Sequence, residues 1–150
     1  MNKPKEIVNR KAKFEYEFMQ EFDAGLMLLG TEVKSLRVGN GNLSDAYCLF
    51  KGDGLYLRSM YIGEYTHGNI NNHEPRRERK LLLKKRELHK LERRVTEKGL
   101  TIVPYKIFFS DRGLAKLRIA LARGKQTFNK KEVIRERDAK REMERIKKEY

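Results

Sequence analysis

Two segments of this chain alternate apolar and polar residues on either side of a short turn, and they restrict its possible folds more than any other feature. "DAYCLF" and "LYLRSMYI" are joined by "KGDG", and Asp-Gly between two such runs is a strong hairpin signal. Past Gly99, "LTIVPYKIFF" passes through "SDRG" into "LAKLRIALA", where Leu117, Ile119 and Leu121 share one face and Lys116 and Arg118 take the other. From Ala12 onward Phe14, Tyr16 and Phe18 alternate with Glu15 and Glu17, the period of a half-buried strand, and a second apolar run, "GLMLLG", follows. Short strands of this kind, with helices between them, predict a mainly β fold. A small antiparallel β-barrel carrying about three helices is expected.

One helix is expected at "EVKSLR", with Thr31 as its cap and the "GNGN" cluster as its stop. Another is expected across Pro75 to Lys98, a charged segment with leucines at helical spacing and Pro75 suited to a first helical position. Wound at about 100° per residue, it puts Leu81, Leu88, Leu91 and Val95 on one stripe, and Leu82 among Arg79, Arg86 and Arg93. Leu82 is then either an exposed leucine on a basic face or part of helix-end packing, since Leu83 also leaves the stripe.

The chain carries 35 Lys/Arg against 21 Asp/Glu, a net charge of +14. That imbalance favours a polyanionic partner through counterion release. Eleven Lys/Arg and four Asp/Glu fall between Pro75 and Lys98, so this segment alone supplies half of the excess. Arg10, Lys11 and Lys13 precede an aromatic strand, and Lys34 and Arg37 lie on the short helix. Such groups would hold phosphates without reading sequence, and shape recognition of a folded RNA suits a basic β-barrel better than duplex DNA readout.

Other chemistries lack their residues. His67, His73 and His89 have no metal-binding spacing with one another or with Cys48 and read as loose surface histidines. The single cysteine permits no internal disulfide and fits a reducing compartment. "VGNGN" and "KGDGL" lack the Lys-Ser/Thr of a phosphate-cradling loop and read as turns. With no nucleophile–base pair, no metal or other cofactor is expected and an enzyme is disfavoured. With no leader-like stretch and no apolar run of about 18 residues, a cytoplasmic protein is expected, away from membranes.

At 150 residues one core is expected, over residues 1–124, followed by a basic tail at 125–150. The tail is too poor in apolar residues to fold alone. Ala139, Met143, Ile146 and Tyr150 recur at spacings of four, three and four, one narrow stripe if the tail becomes helical on a partner. A structural component of the ribosome fits a basic barrel with such a tail as well as an RNA-binding adaptor does.

The segments "NRKAKFEYEFMQEFDAGLMLLGTEVKSLRVGNGNLSDAY", "HEPRRERKLLLKKREL", "KGLTIVPYKIFF" and "ALARGK" together resemble the small protein B (SmpB) family, the bacterial partner of transfer-messenger RNA, collinearly from about Asn9 to Lys131. The resemblance implies a β-barrel of the oligonucleotide-binding type and a role in the ribosome rescue called trans-translation. The family binds the tRNA-like domain of transfer-messenger RNA in place of an anticodon arm and helps deliver it to stalled ribosomes. Elongation factor Tu and the ribosome, chiefly its small-subunit decoding centre, are implied partners with no cofactor, and a monomer is expected when the protein is bound to RNA.

Carried over by position, the family's RNA-contacting asparagine falls on Asn9, and its acidic residue before Ala-Gly falls on Asp23, where glutamate is more usual. Its exposed leucine falls on Leu82, which makes an apolar contact to an unstacked base the better reading there. Lys11, Lys13, Lys34, Arg37, Arg79, Lys80 and Lys84 join the candidates through charge and nearness to these motifs. In the tail, the family's Gly-Lys-Lys, aromatic and Asp-Lys-Arg pattern reads as Gly124-Lys125-Gln126, Phe128 and Asn129-Lys130-Lys131. Phe128 would stack in the decoding centre. Lys130, Lys131, Arg135 and Arg137 would face phosphate, and Ile146 is the implied hydrophobic residue for accommodation.

Overall fold

Both expected hairpins form, each turned by a glycine with positive φ, Gly52 at +63° and Gly113 at +79°. A side chain at either position would be strained, because L-residues rarely adopt that geometry. The computed structural model describes residues 4–52, 54–66 and 72–124. In chain order these form β1 (Ile7–Val8), α1 (Arg10–Glu15), β2 (Tyr16–Leu26), α2 (Gly30–Arg37), β3 (Gly41–Asn42), β4 (Tyr47–Lys51), β5 (Gly54–Arg58), β6 (Tyr61–Ile62), β7 (Arg79–Leu82), α3 (Lys85–Lys98), β8 (Thr101–Phe109) and β9 (Ala115–Gly124). Seven strands make one antiparallel sheet in the order β1-β8-β9-β2-β7-β5-β4, and β3 pairs with β6.

The inner face of the sheet carries the main core. Leu55 and Leu57 of β5, Leu81 of β7 and Leu117, Ile119 and Leu121 of β9 meet Leu36 of α2 and Leu91 of α3 there, all buried. Each such side chain contributes roughly 1.5–3 kcal/mol when fully removed from water. A smaller cluster lies on the opposite, outer face, where Ala12 of α1 packs on Val103 and Ala122 with Tyr16, Phe18 and Tyr105 around them.

Two β-bulges let β2 and β8 serve both layers. Phe18 opposes Ala122 and Gln20 opposes Leu121, so the register slips at Met19 and residues of the same parity change face. In β8, Pro104 opposes Ile119 and Lys106 opposes Arg118, with the slip at Tyr105. Tyr16 and Phe18 therefore belong to the outer cluster, whereas Phe22 and Ala24 enter the main core.

Several expectations are corrected. The first long strand starts at Tyr16, not Ala12, because Arg10–Glu15 is helical and leaves Phe14 exposed. Thr31 does not cap α2: its hydroxyl lies 2.9 Å from Nδ1 of His73, and the Leu29 N–H is taken by the Glu32 carboxylate at 2.8 Å. His73 is accordingly no loose surface histidine but buried, with Nε2 donating to the Ile62 carbonyl at 2.9 Å. The helix expected from Pro75 starts only at Lys85, where the Lys84 N–H donates to Glu87. Arg79–Leu82 instead form a strand, because pairing with both β2 and β5 satisfies their backbone on two sides.

The expected barrel is not closed either. The hydrogen-bonded sheet ends at β1 and β4, and β4 faces β8 across a cleft of about 410 Å³ lined by Asn9, Tyr16, Cys48 and Thr101–Pro104. Pro104 has no N–H to give a neighbouring strand. Its carbonyl accepts Nδ2 of Asn9 at 3.1 Å, and the Tyr105 carbonyl accepts the Asn9 N–H at 2.7 Å. The β8 edge is thus filled from the N-terminal segment rather than from β4.

Beneath this sheet Glu32 and Arg79 are both fully buried. Arg79 donates through Nε to Glu32 Oε2 at 2.5 Å, through Nη1 to the Met60 carbonyl at 2.7 Å and through Nη2 to the Pro75 carbonyl at 3.1 Å. Arg77 adds a 2.6 Å bond to the other carboxylate oxygen. Burial alone would push the Glu32 carboxyl up, but the bonds from Arg77 and the Leu29 N–H, with the charge of Arg79, outweigh it and hold the carboxyl below its ordinary value.

Glu32→Gln should therefore leave a buried guanidinium uncompensated and cost about 3–5 kcal/mol in urea denaturation. Because the folded-state value of Glu32 is depressed, its contribution is complete above the ordinary carboxylate range and lost as pH falls through the folded value. The wild type should accordingly lose more stability on acidification than Glu32→Gln does.

Candidate nucleic-acid interface

The outer face of the sheet beyond α1 is where the candidate residues gather. Cross-strand pairs run Lys106–Arg118–Asp23 in one row and Phe108–Lys116–Gly25–Leu82 in the next. Directly opposed residues in an antiparallel ladder share a face. Lys80, two residues before Leu82, points to the same side opposite Tyr56. Leu82 is 49% exposed, while its neighbour Leu81 is 3% exposed in the core. Leu82 can lie directly over its cross-strand partner because that partner is glycine: a Cβ on Gly25 would come within 3.2 Å of the Leu82 Cβ.

Charge on this face is fixed by local contacts. Arg118 donates through Nε to Asp23 at 2.8 Å and lies over the Phe108 ring at 5.2 Å. Hydrogen bonding to Asp23, partly offset by slight burial, raises the guanidinium above its usual value, so it stays charged. The shorter arm of Asp23 is thus already committed to Arg118, and the pair is net neutral, with the guanidinium held in a fixed position. Lys13 is set 4.9 Å from the Tyr105 ring on α1, at the other end of the same face. Lys11 and Asn9 border the cleft between β4 and β8. There burial pushes the Cys48 thiol up to about 12, so it is protonated at neutral pH.

Not every candidate joins this surface. Arg79 is removed from the set, since it is buried and all three of its nitrogens are engaged inside the fold. Arg37 lies over the Phe109 ring at 4.9 Å and donates to the Gly113 carbonyl at 2.8 Å, holding the β8–β9 turn. Lys34 is set 5.5 Å from the Tyr65 ring, and Lys84 is exposed just before α3. Helix α3 itself carries six Lys/Arg against three Asp/Glu, a weaker excess than the whole Pro75–Lys98 segment suggested. Lys125, Phe128, Asn129, Lys130, Lys131, Arg135, Arg137 and Ile146 lie outside the described residues.

Lys106, Phe108, Lys116 and Arg118 were not among the sequence candidates, although the alternation of β9 already set Lys116 and Arg118 opposite the core. What the sequence did not provide was the neighbouring strands that place them beside Asp23 and Leu82.

Comparison with known proteins places this geometry in context. The family model described as SmpB protein matches residues 6–149. An SsrA-binding protein of Christiangramia forsetii is 51% identical over 144 residues, covering 96% of this chain and 92% of the relative. One of Flavobacterium psychrophilum is 50% identical over 150 residues and the full length of both chains. A chain solved under the description "tmRNA-SmpB: a journey to the center of the bacterial ribosome" superposes with a TM-score of 0.67 at 48% identity, covering 80% of this chain and 84% of that one.

If Leu82 belongs to a surface and not to the core, Leu82→Ala should change folding stability by no more than about 0.5 kcal/mol in thermal denaturation. A loss of about 2–5 kcal/mol, typical of buried leucines, would return it to the core.

Proposed function

The chain belongs to the SmpB protein family, and on that premise we propose that it is a non-enzymatic adaptor of trans-translation, binding transfer-messenger RNA and bringing it to stalled ribosomes. The observation that carries the proposal is the outer sheet face, where a half-exposed leucine sits over a glycine among Lys80, Lys116 and Arg118. Cations on a rigid sheet hold phosphates and set orientation, and an apolar side chain among them suits a base that has left its stack. Such a surface recognises the shape of the tRNA-like domain rather than a sequence. The oligonucleotide-binding type of fold is part of the proposal in an open form, with the N-terminal segment filling the β8 edge.

The same proposal divides the labour. Residues 1–124 hold the RNA, and residues 125–150 enter the vacant mRNA path of the small subunit. There Phe128 stacks on a decoding-centre base, Lys125, Asn129, Lys130, Lys131, Arg135 and Arg137 meet phosphate, and Ile146 makes an apolar contact. Elongation factor Tu joins the delivery complex, one copy of the protein serves one RNA, and the work is done in the cytoplasm. Stacking of the Phe128 kind contributes roughly 1–3 kcal/mol per base.

Deleting residues 125–150 should leave affinity for the tRNA-like domain nearly intact while abolishing tagging of stalled peptides in a reconstituted translation system. A loss of RNA affinity as large as that of a body variant would contradict the division. Affinity should also fall steeply with salt, with a slope of about −0.9 per phosphate neutralised if the RNA behaves like duplex DNA; a flat response in a titration series would contradict electrostatic holding.

A further inference from the structure

Beside Leu82, at the end of the sheet, a mainly apolar hollow of about 430 Å³ runs from the outward residues Gly25, Leu82 and Lys116 toward Leu28 and Val33, which pack against the main core, and Leu114 also lines it. Its volume falls within the roughly 300–1,000 Å³ usual for ligand sites. Two leucines border it, and both are unusually open to water for their size, Leu82 at 49% and Leu114 at 58%. They reach it from different elements, Leu82 from the end of β7 and Leu114 from the turn between β8 and β9.

The Leu114 side is held in place. The Ser110 N–H donates to the Leu114 carbonyl at 2.9 Å, the Gly113 N–H to the Ser110 carbonyl at 2.8 Å, and the Leu114 N–H to Ser110 Oγ at 3.2 Å. Arg37 fixes the turn from outside through the Gly113 carbonyl. On the Leu82 side, Gly25 lets the leucine lie close over the sheet, since a Cβ there would crowd the Leu82 Cβ at 3.2 Å. A preformed site of this kind avoids the entropy of ordering a loop on binding.

Charge selects the occupant. Among the described residues no carboxylate lines the hollow and Lys116 borders it, while Arg118 in the adjacent cross-strand row is paired with Asp23 and adds no net charge. Apolar walls next to the Lys116 cation match a nucleobase whose own phosphate lies alongside. We propose that this hollow receives one unstacked nucleobase of the bound RNA, held between Leu82 and Leu114 with its phosphate at Lys116. The proposal rests on the adaptor reading and deepens it, because it makes Leu114 an RNA-binding residue and turns a single leucine contact into a two-sided site.

The test uses the full-length protein and a transcript of the transfer-messenger RNA tRNA-like domain. Leu114→Ala should bind about tenfold more weakly with an unchanged melting temperature, since Leu114 is a surface side chain. One base shielded from dimethyl sulfate or carbodiimide in the wild-type complex should become reactive in the variant. A photo-crosslinking residue at position 114 should attach to that nucleotide. Wild-type protein that failed to bind the transcript would overturn the adaptor reading and this site with it. Wild-type binding with unchanged affinity and footprint for Leu114→Ala would overturn the site alone, as would a crosslink from position 114 to protein instead of RNA.

Discussion

The buried pair of Glu32 and Arg79 is the interaction on which the rest of the structure depends. Neither charge has access to water, so each is stable inside only because the other is there, with carbonyls of Met60 and Pro75 accepting the remaining donors of Arg79. The pair ties α2 to β7 and, through the carbonyls of Met60 and Pro75, to two segments that precede β7 in the chain. With Arg79 anchored inward, strand alternation turns Lys80 outward, Leu81 into the core and Leu82 out again. The same strand therefore fastens the interior and presents an exposed leucine on the outer face.

That face is available because the fold divides its outer surface. The bulges at Met19 and Tyr105 let Phe18, Tyr105 and Val103 pack under Ala12 of α1 at one end, while the core on the inner side stays continuous. The other end is left uncovered, and there the outward residues of β2, β7, β8 and β9 are Asp23, Gly25, Lys80, Leu82, Lys106, Phe108, Lys116 and Arg118. A rigid sheet holds such groups more precisely than loops would.

The two hairpins are legible in the sequence because their signals are local: turn glycines and alternation. A helical wheel leaves Leu82 open between exposure and helix-end packing, and only the family resemblance favours exposure. A helical wheel and a strand both separate it from Leu81, so its outward place does not depend on the helix, which starts only at Lys85. The strand at Arg79–Leu82 and the burial of Arg79 were not legible, since the partners of β7 lie far away in sequence and a Lys/Arg/Leu run reads locally as helix. The helix over Arg10–Glu15 was hidden by an even parity that runs from Phe14 to Ala24 yet serves three different environments. Lys116 and Arg118 could be read as outward, but their neighbours came only with the sheet order.

In the proposed complex β7 faces two ways, with its inward residues structural and its outward residues on RNA. Methyl-selective nuclear magnetic resonance on leucine-labelled protein tests it most directly, during titration with the tRNA-like domain of transfer-messenger RNA. Leu81 and Leu82 are adjacent in the chain and differ in exposure from 3% to 49%. The account predicts that the Leu82 methyl signals shift or broaden as RNA is added while those of Leu81 stay in place. Equal movement of both, or movement of Leu81 alone, would contradict it.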